Sequence, residues 1–110
     1  MSLDLVQEMN TKVAELSTSI KLLSGYGKAL AEAERDYKME ITKEVFILRD
    51  QKMPVTMINL IVYGQHNVAE KRFKRDVAEA MYNANQEHIN VTKLQLKIIE
   101  NQIQREYYDK

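Results

Sequence analysis

The chain has 110 residues, a length typical of one domain, with 16 Lys and Arg, 16 Asp and Glu, and no cysteine. The balanced charge gives no overall field that would attract nucleic acid or an anionic membrane. The missing thiols exclude disulfides, cysteine nucleophiles and thiolate metal sites. Only 3 glycines and 1 proline interrupt a sequence rich in helix-forming residues, so we expect an all-α protein.

The sequence has no candidate membrane segment. Its longest apolar stretch, Leu60 to Tyr63 with Met57 and Ile58 just before it, is far shorter than the ~20 residues that a membrane-spanning helix needs. The N-terminus lacks the basic and apolar regions of a secretory signal. We therefore expect a soluble, cytoplasmic protein with no membrane partner.

A first helix is expected over about residues 3–50. Apolar residues with alternating spacings of three and four lie on one stripe of a helix and favour pairing of long helices. Here this stripe contains Val13, Leu16, Ile20 and Leu23. After Leu30 the strict heptad falters, because Glu34 and Glu44 would fall in the core. A shifted stripe then takes over, made of Ala33, Tyr37, Ile41, Val45 and Leu48.

Two glycines in the segment 24–27 weaken this first helix. Each costs about 1 kcal/mol relative to alanine in a helix interior. One alternative is a continuous helix that tolerates the weak point, and the other is a break or kink. The alanine-rich residues that follow favour continuity.

Pro54 ends the first helix, since proline lacks an N–H and pushes the preceding residue out of helical geometry. The β-branched and aromatic residues at 55–63 would suit a strand, but no other segment of the sequence could pair with it. We expect instead a short helix over 55–63, with Pro54 in its first turn and Gly64 at its end.

A second long helix is expected over about residues 67–107, where Asn67 and Glu70 have the spacing of a capping box. Two adjacent apolar stripes run along it. One consists of Val77, Ala80, Ala84, Val91, Leu94 and Ile98. The other consists of Tyr82, Ile89, Leu96, Ile99 and Ile103. The fold predicted is thus a single domain, a long antiparallel helical hairpin with a short connecting helix.

The two stripes together form a face wider than one antiparallel neighbour can cover, which predicts self-association into a helical bundle, with a dimer favoured. We expect the interface to contain Val13, Leu16, Ile20, Leu23, Ile89, Leu96, Ile99 and Ile103. A charge introduced at Ile20 or Ile99 should then disrupt assembly. In the alternative, the short helix covers the second stripe within one chain.

The sequence offers little material for catalysis or metal binding. His66 and His88 lack metal-binding spacing, and neither follows a glutamate by three residues. We expect His88 to be partly buried in the second helix and His66 to be solvated in the turn. Neither a phosphate-binding glycine loop nor a nucleophile elbow occurs. The prediction is a non-enzymatic protein without a cofactor.

An alternative function is nucleic-acid binding through the segment 53–75, whose helix, turn and helix loosely resemble a helix-turn-helix. Its second helix carries Lys71, Arg72, Lys74 and Arg75, which could neutralise phosphates. The acidic residues among them and the unusual length of that helix weigh against this interpretation. A solvated charged face is the more ordinary explanation.

Four phrases of the sequence resemble small helical proteins encoded by phages and prophages of Gram-positive bacteria. They are LAEAERDYK at 30–38, LRDQKMPVT at 48–56, RFKRDVAE at 72–79 and NQIQR at 101–105. This group has no settled activity, so the resemblance implies a genomic setting and no site residues. It suggests the cytoplasm of a bacterial host, with a phage or host protein as a further partner of a scaffolding module.

Overall fold

The chain folds as an all-α helical hairpin in a computed structural model, which describes residues 2–108. It consists of α1 (Ser2–Asp50), α2 (Val55–Ile61), a 3-10 turn (Val62–Gly64) and α3 (His66–Tyr108). The described residues contain no strand, so the helical prediction for 55–63 is confirmed for most of that segment. The two long helices begin and end within a residue of the predicted positions.

α1 continues without interruption through the glycine-containing segment at 24–27. No glycine among the described residues adopts a positive φ, so Gly25 and Gly27 keep ordinary helical geometry. A Cβ atom at Gly25 would meet no atom within 4 Å. These glycines therefore lower helix propensity without ending the helix.

The end of α1 is fixed by Lys52, the one described non-glycine residue with a positive φ, at 61°. The N–H of Lys52 donates to the Arg49 carbonyl at 2.9 Å, and the N–H of Met53 donates to the Leu48 carbonyl at 3.2 Å. This pair of bonds is a Schellman motif, in which a left-handed residue satisfies the last carbonyls of a helix. Pro54 then has an extended conformation and begins α2 as its N-cap.

α2 packs its buried face against the C-terminal part of α1. Leu48, Ile58 and Val62 form the buried centre of a hydrophobic cluster. Four partly buried residues surround it: Ile41, Val45, Met53 and Ile61. Met53 and Leu48 also supply the apolar contact that accompanies a Schellman motif. These apolar contacts hold α2 against the C-terminal part of α1.

α3 begins one residue before the predicted cap, at His66. The residue before it, Gln65, is extended, and its carbonyl accepts the N–H of Ala69 at 2.8 Å. The prediction that Asn67 caps this helix is wrong, because Asn67 lies inside the first turn. Its amide donates instead to two carboxylates on α1.

The contacts divide the chain into two compact units, where the sequence predicted a single domain. Unit one contains residues up to Gly25 and from Asn83 onward, and unit two contains Tyr26–Tyr82. In unit one, α1 and α3 run antiparallel, with Asn85 bonded to the backbone of Ser19. In unit two they also run antiparallel, with Asn67 bonded to Glu44.

Candidate functional site

The inner seam of unit one, where α3 packs on α1, contains the α3 residues that the sequence assigned to self-association. Ile89 is 7% exposed and Ile99 is 4% exposed, while Leu96 and Ile103 are half-buried. On α1, Leu16 and Leu23 are half-buried as well. One antiparallel neighbour therefore covers the second stripe of α3, and α2 is not needed to cover it.

This burial changes what a charge at Ile99 is expected to do. The side chain is already enclosed within one chain, so Ile99→Asp would place a charge in the interior and destabilise the hairpin itself. Ile20, in contrast, is 50% exposed, and Val13 is 48% exposed. Of the eight residues predicted for self-association, these two have the largest exposed fractions.

The first stripe of α3 is the apolar surface that unit one exposes. Leu94 is 61% exposed, Ile98 51% and Val91 41%, and Ala84 is exposed as well. We call these four residues the outer stripe of unit one. Positions 84, 91 and 98 are seven residues apart, which is the spacing of core residues in a coiled coil. The sequence identified this stripe, but it chose the other one as the surface for a partner.

Unit two exposes apolar residues of the same repeat on its part of α3. Phe73 is 63% exposed and Val77 46%, and Ala80 is also exposed. These three residues are the outer stripe of unit two. Val77 and Ala80 belong to the first stripe that the sequence predicted, and Phe73 precedes Val77 by four residues, the spacing that extends it.

Both units place polar side chains where α1 and α3 meet, a feature that the sequence analysis missed. Asn85 is 9% exposed and its amide donates to the Ser19 carbonyl at 3.0 Å. Thr92 is fully buried, and its hydroxyl donates to the His88 carbonyl at 2.7 Å. A buried polar group is costly unless it is bonded. The Asn85 bond joins α3 to α1 and so fixes their alignment, whereas the Thr92 bond lies within α3.

In unit two, Glu44 is likewise a buried polar residue with a hydrogen-bond partner. The strict heptad of α1 places Glu44 in the core, and the shifted apolar stripe was predicted because a glutamate is unfavourable there. In the structure Glu44 is nevertheless buried, with 8% of its surface exposed. One amide, that of Asn67, donates to Glu44 at 2.9 Å and to Glu40 at 2.6 Å. Among the described residues, no buried side-chain polar atom lacks a hydrogen-bond partner.

The basic cluster of α3 is only partly available to an anionic ligand. Arg75 donates to Asp76 at 2.9 Å, and its guanidinium lies 4.9 Å from the ring centre of Tyr37. The hydrogen bond to Asp76 raises the pKa of Arg75. Lys71 is half-buried, which leaves Arg72 and Lys74 as the exposed cations of the cluster.

Both histidines of α3 lie on the surface of the chain. His66 is exposed at the start of α3, and His88 is exposed as well, so the expectation of a partly buried His88 is wrong. The reason is that His88 precedes the inner-seam residue Ile89 by one position, about 100° around the helix. Within residues 2–108, no group of three or more His, Asp and Glu side chains could hold a metal ion.

No family model, curated protein or solved structure matches the chain. Over the described residues, no helix has the length and apolar character needed to cross a membrane. The outer stripe of unit one is an exposed apolar face with coiled-coil spacing.

Proposed function

We propose that this chain is a non-enzymatic helical interaction protein that works as a homo-oligomer, with a dimer as the basic assembly. The single observation that carries the proposal is the exposure of Val91, Leu94 and Ile98 at coiled-coil spacing on α3. An amphipathic helix normally has one apolar stripe, and here that stripe is already used by the inner seam. A second apolar stripe on the same helix is typical of a helix with two helical neighbours.

The energetics favour covering this surface. Burying apolar area contributes about 25 cal/mol per Å², so enclosing Val91, Leu94 and Ile98 on both copies would contribute several kcal/mol. A second copy offers the same stripe, so a closed dimer covers Val91, Leu94 and Ile98 on both copies. Contiguous exposed apolar patches commonly mark protein–protein contacts.

The setting of this module is also part of the proposal. The four phrases that resemble phage and prophage proteins support a phage- or prophage-encoded chain in the cytoplasm of a bacterial host. In that setting the assembled bundle is a scaffold that holds a further phage or host protein. The resemblance lies in the sequence phrases and assigns no residue to that second contact.

A charge in the stripe tests the proposal. Leu94→Asp should reduce the solution mass to that of one chain, because a carboxylate is strongly disfavoured in an apolar interface. The matched control is Leu60→Asp on α2, where the side chain is 78% exposed and lies outside the stripe. Light scattering on a sizing column gives both masses. An unchanged mass for Leu94→Asp would contradict the proposed interface.

Nucleic-acid binding through Lys71, Arg72, Lys74 and Arg75 is the weaker candidate. Its support is the exposure of Arg72 and Lys74. Against it, Arg75 is engaged by Asp76 and lies 3.9 Å from Glu34. Gel shifts at low salt, where the phosphate contribution is strongest, would show retention of duplex or single strands if this function were present.

A further inference from the structure

We infer that two copies of this chain pair through α3 in antiparallel orientation, centred between Asn85 and Gln86. The inference rests on the proposed function and adds to it the orientation and register of the two helices. It uses the outer stripes of both units, which occupy core positions of one heptad repeat along α3. These positions are Phe73, Val77, Ala80, Ala84, Glu87, Val91, Leu94 and Ile98.

The core residues of two antiparallel copies of α3 match one another. In an antiparallel pair, each first core position of one helix faces a second core position of the other. A single register joins all eight positions in this way. It pairs Phe73 with Ile98, Val77 with Leu94, Ala80 with Val91, and Ala84 with Glu87, in each case between one copy and the other. Three of these four pairings are wholly apolar.

Glu87 is the one charged residue among these core positions. A parallel pair in register would set the Glu87 carboxylates of the two copies directly opposite each other in the seam. In the antiparallel register, Glu87 faces Ala84 of the second copy, whose small side chain leaves room for the carboxylate to reach water. Glu87 is exposed in the single chain. The heptad repeat therefore accommodates the Glu87 carboxylate better in an antiparallel pair than in a parallel pair.

The charges at the positions that flank the core also favour the antiparallel orientation, since such residues set orientation in coiled coils. In the antiparallel register, Asp76 faces Lys97 of the second copy, and Asn83 faces Asn90. By symmetry each pairing occurs twice. Asp76 also accepts from Arg75 in its own chain. In a parallel pair, Asp76 would face Met81 and Lys97 would face Gln102, so neither charge would meet its opposite.

Disulfide trapping tests the orientation directly, since the chain has no cysteine of its own. Val77→Cys and Leu94→Cys are made separately, one with a size tag, then mixed in denaturant, refolded and oxidised mildly. We expect a cross-link between the two variants in the mixture and none in either variant alone. In the inferred register, the two copies of either site lie about 25 Å apart along the axis.

The matched control moves one of the two cysteines along α3 by about one helical turn. Val77→Cys mixed with Ile98→Cys should cross-link poorly, because a shift of about 6 Å along the axis takes the pair beyond disulfide reach. Cross-linking of Val77→Cys with itself would overturn the antiparallel orientation. Cross-linking of the control pair in preference to the inferred pair would overturn the register.

The solution mass of the reduced variants separates this inference from the proposed function. A stable dimer that gives no cross-link between the Val77→Cys and Leu94→Cys chains would overturn the inference and leave the proposed function standing. A single-chain mass for the wild type and both variants would overturn both.

A charge exchange gives a readout that does not depend on cysteine. Asp76→Lys and Lys97→Asp should each raise the dimer dissociation constant roughly ten-fold, because like charges would face each other twice. The double exchange should restore it to within a few-fold of the wild type. Additive weakening in the double variant would contradict the pairing.

Discussion

Lys52 holds a backbone conformation that costs less for glycine than for any residue with a Cβ atom. Its left-handed geometry ends α1 through the hydrogen bonds of Lys52 and Met53. This cap could not be predicted from the sequence, because the usual signal for such a cap is glycine or asparagine.

Lys52→Gly should therefore stabilise the chain by about 1 kcal/mol, since glycine relieves the strain of the positive φ. The measurement is the free energy of unfolding from urea titration followed by circular dichroism. Lys52→Ala is the control, because it removes the charge and keeps the Cβ atom. A Lys52→Gly variant less stable than the alanine variant would contradict the cap described above.

Asn67 is the residue that makes a buried Glu44 tolerable. Asn67→Ala should lower the free energy of unfolding by about 2–3 kcal/mol, because it leaves the buried carboxylate without its donor. Asn59→Ala, at an exposed site on α2, is the matched control and should change stability little. Equal effects of the two substitutions would show that the bonds to Glu40 and Glu44 contribute nothing.

α1 is a 49-residue helix that passes through two glycines. Gly25→Ala should raise the free energy of unfolding by about 1 kcal/mol, since the added Cβ meets only open space and alanine has the higher helix propensity. Gly27→Ala is the comparison, because its Cβ would lie 3.5 Å from the ring of Tyr82, an ordinary contact. Lower stability in Gly25→Ala would mean that this position needs glycine for another reason.

The sequence was sufficient to predict the elements of the fold. Heptad spacing, Pro54 and the lack of other breakers placed three helices close to where they occur. These signals are local, since each depends on residues within a few positions of one another. The same local logic misplaced the cap of α3, because Asn67 has the residue type of a cap and a tertiary role.

The sequence could not assign the two stripes of α3 to their neighbours. Both have coiled-coil spacing, and the choice depends on how α1 aligns with α3. That alignment involves the bond from Asn85 to the Ser19 backbone, a contact between residues 66 positions apart. Ile89 and Ile99 consequently lie against α1, while Val91 and Leu94 remain exposed. Long-range polar contacts of this kind leave no periodic signal.

In the proposed dimer, a second copy of the chain covers the outer stripe of unit one. The most direct measurement is the wild-type mass by light scattering on a sizing column, over a hundred-fold range of concentration. We expect twice the 12.9 kDa mass of one chain over most of that range, with dissociation only at the lowest concentrations. A mass of one chain at the highest concentration would contradict self-association, and the exposed stripe would then belong to a different partner.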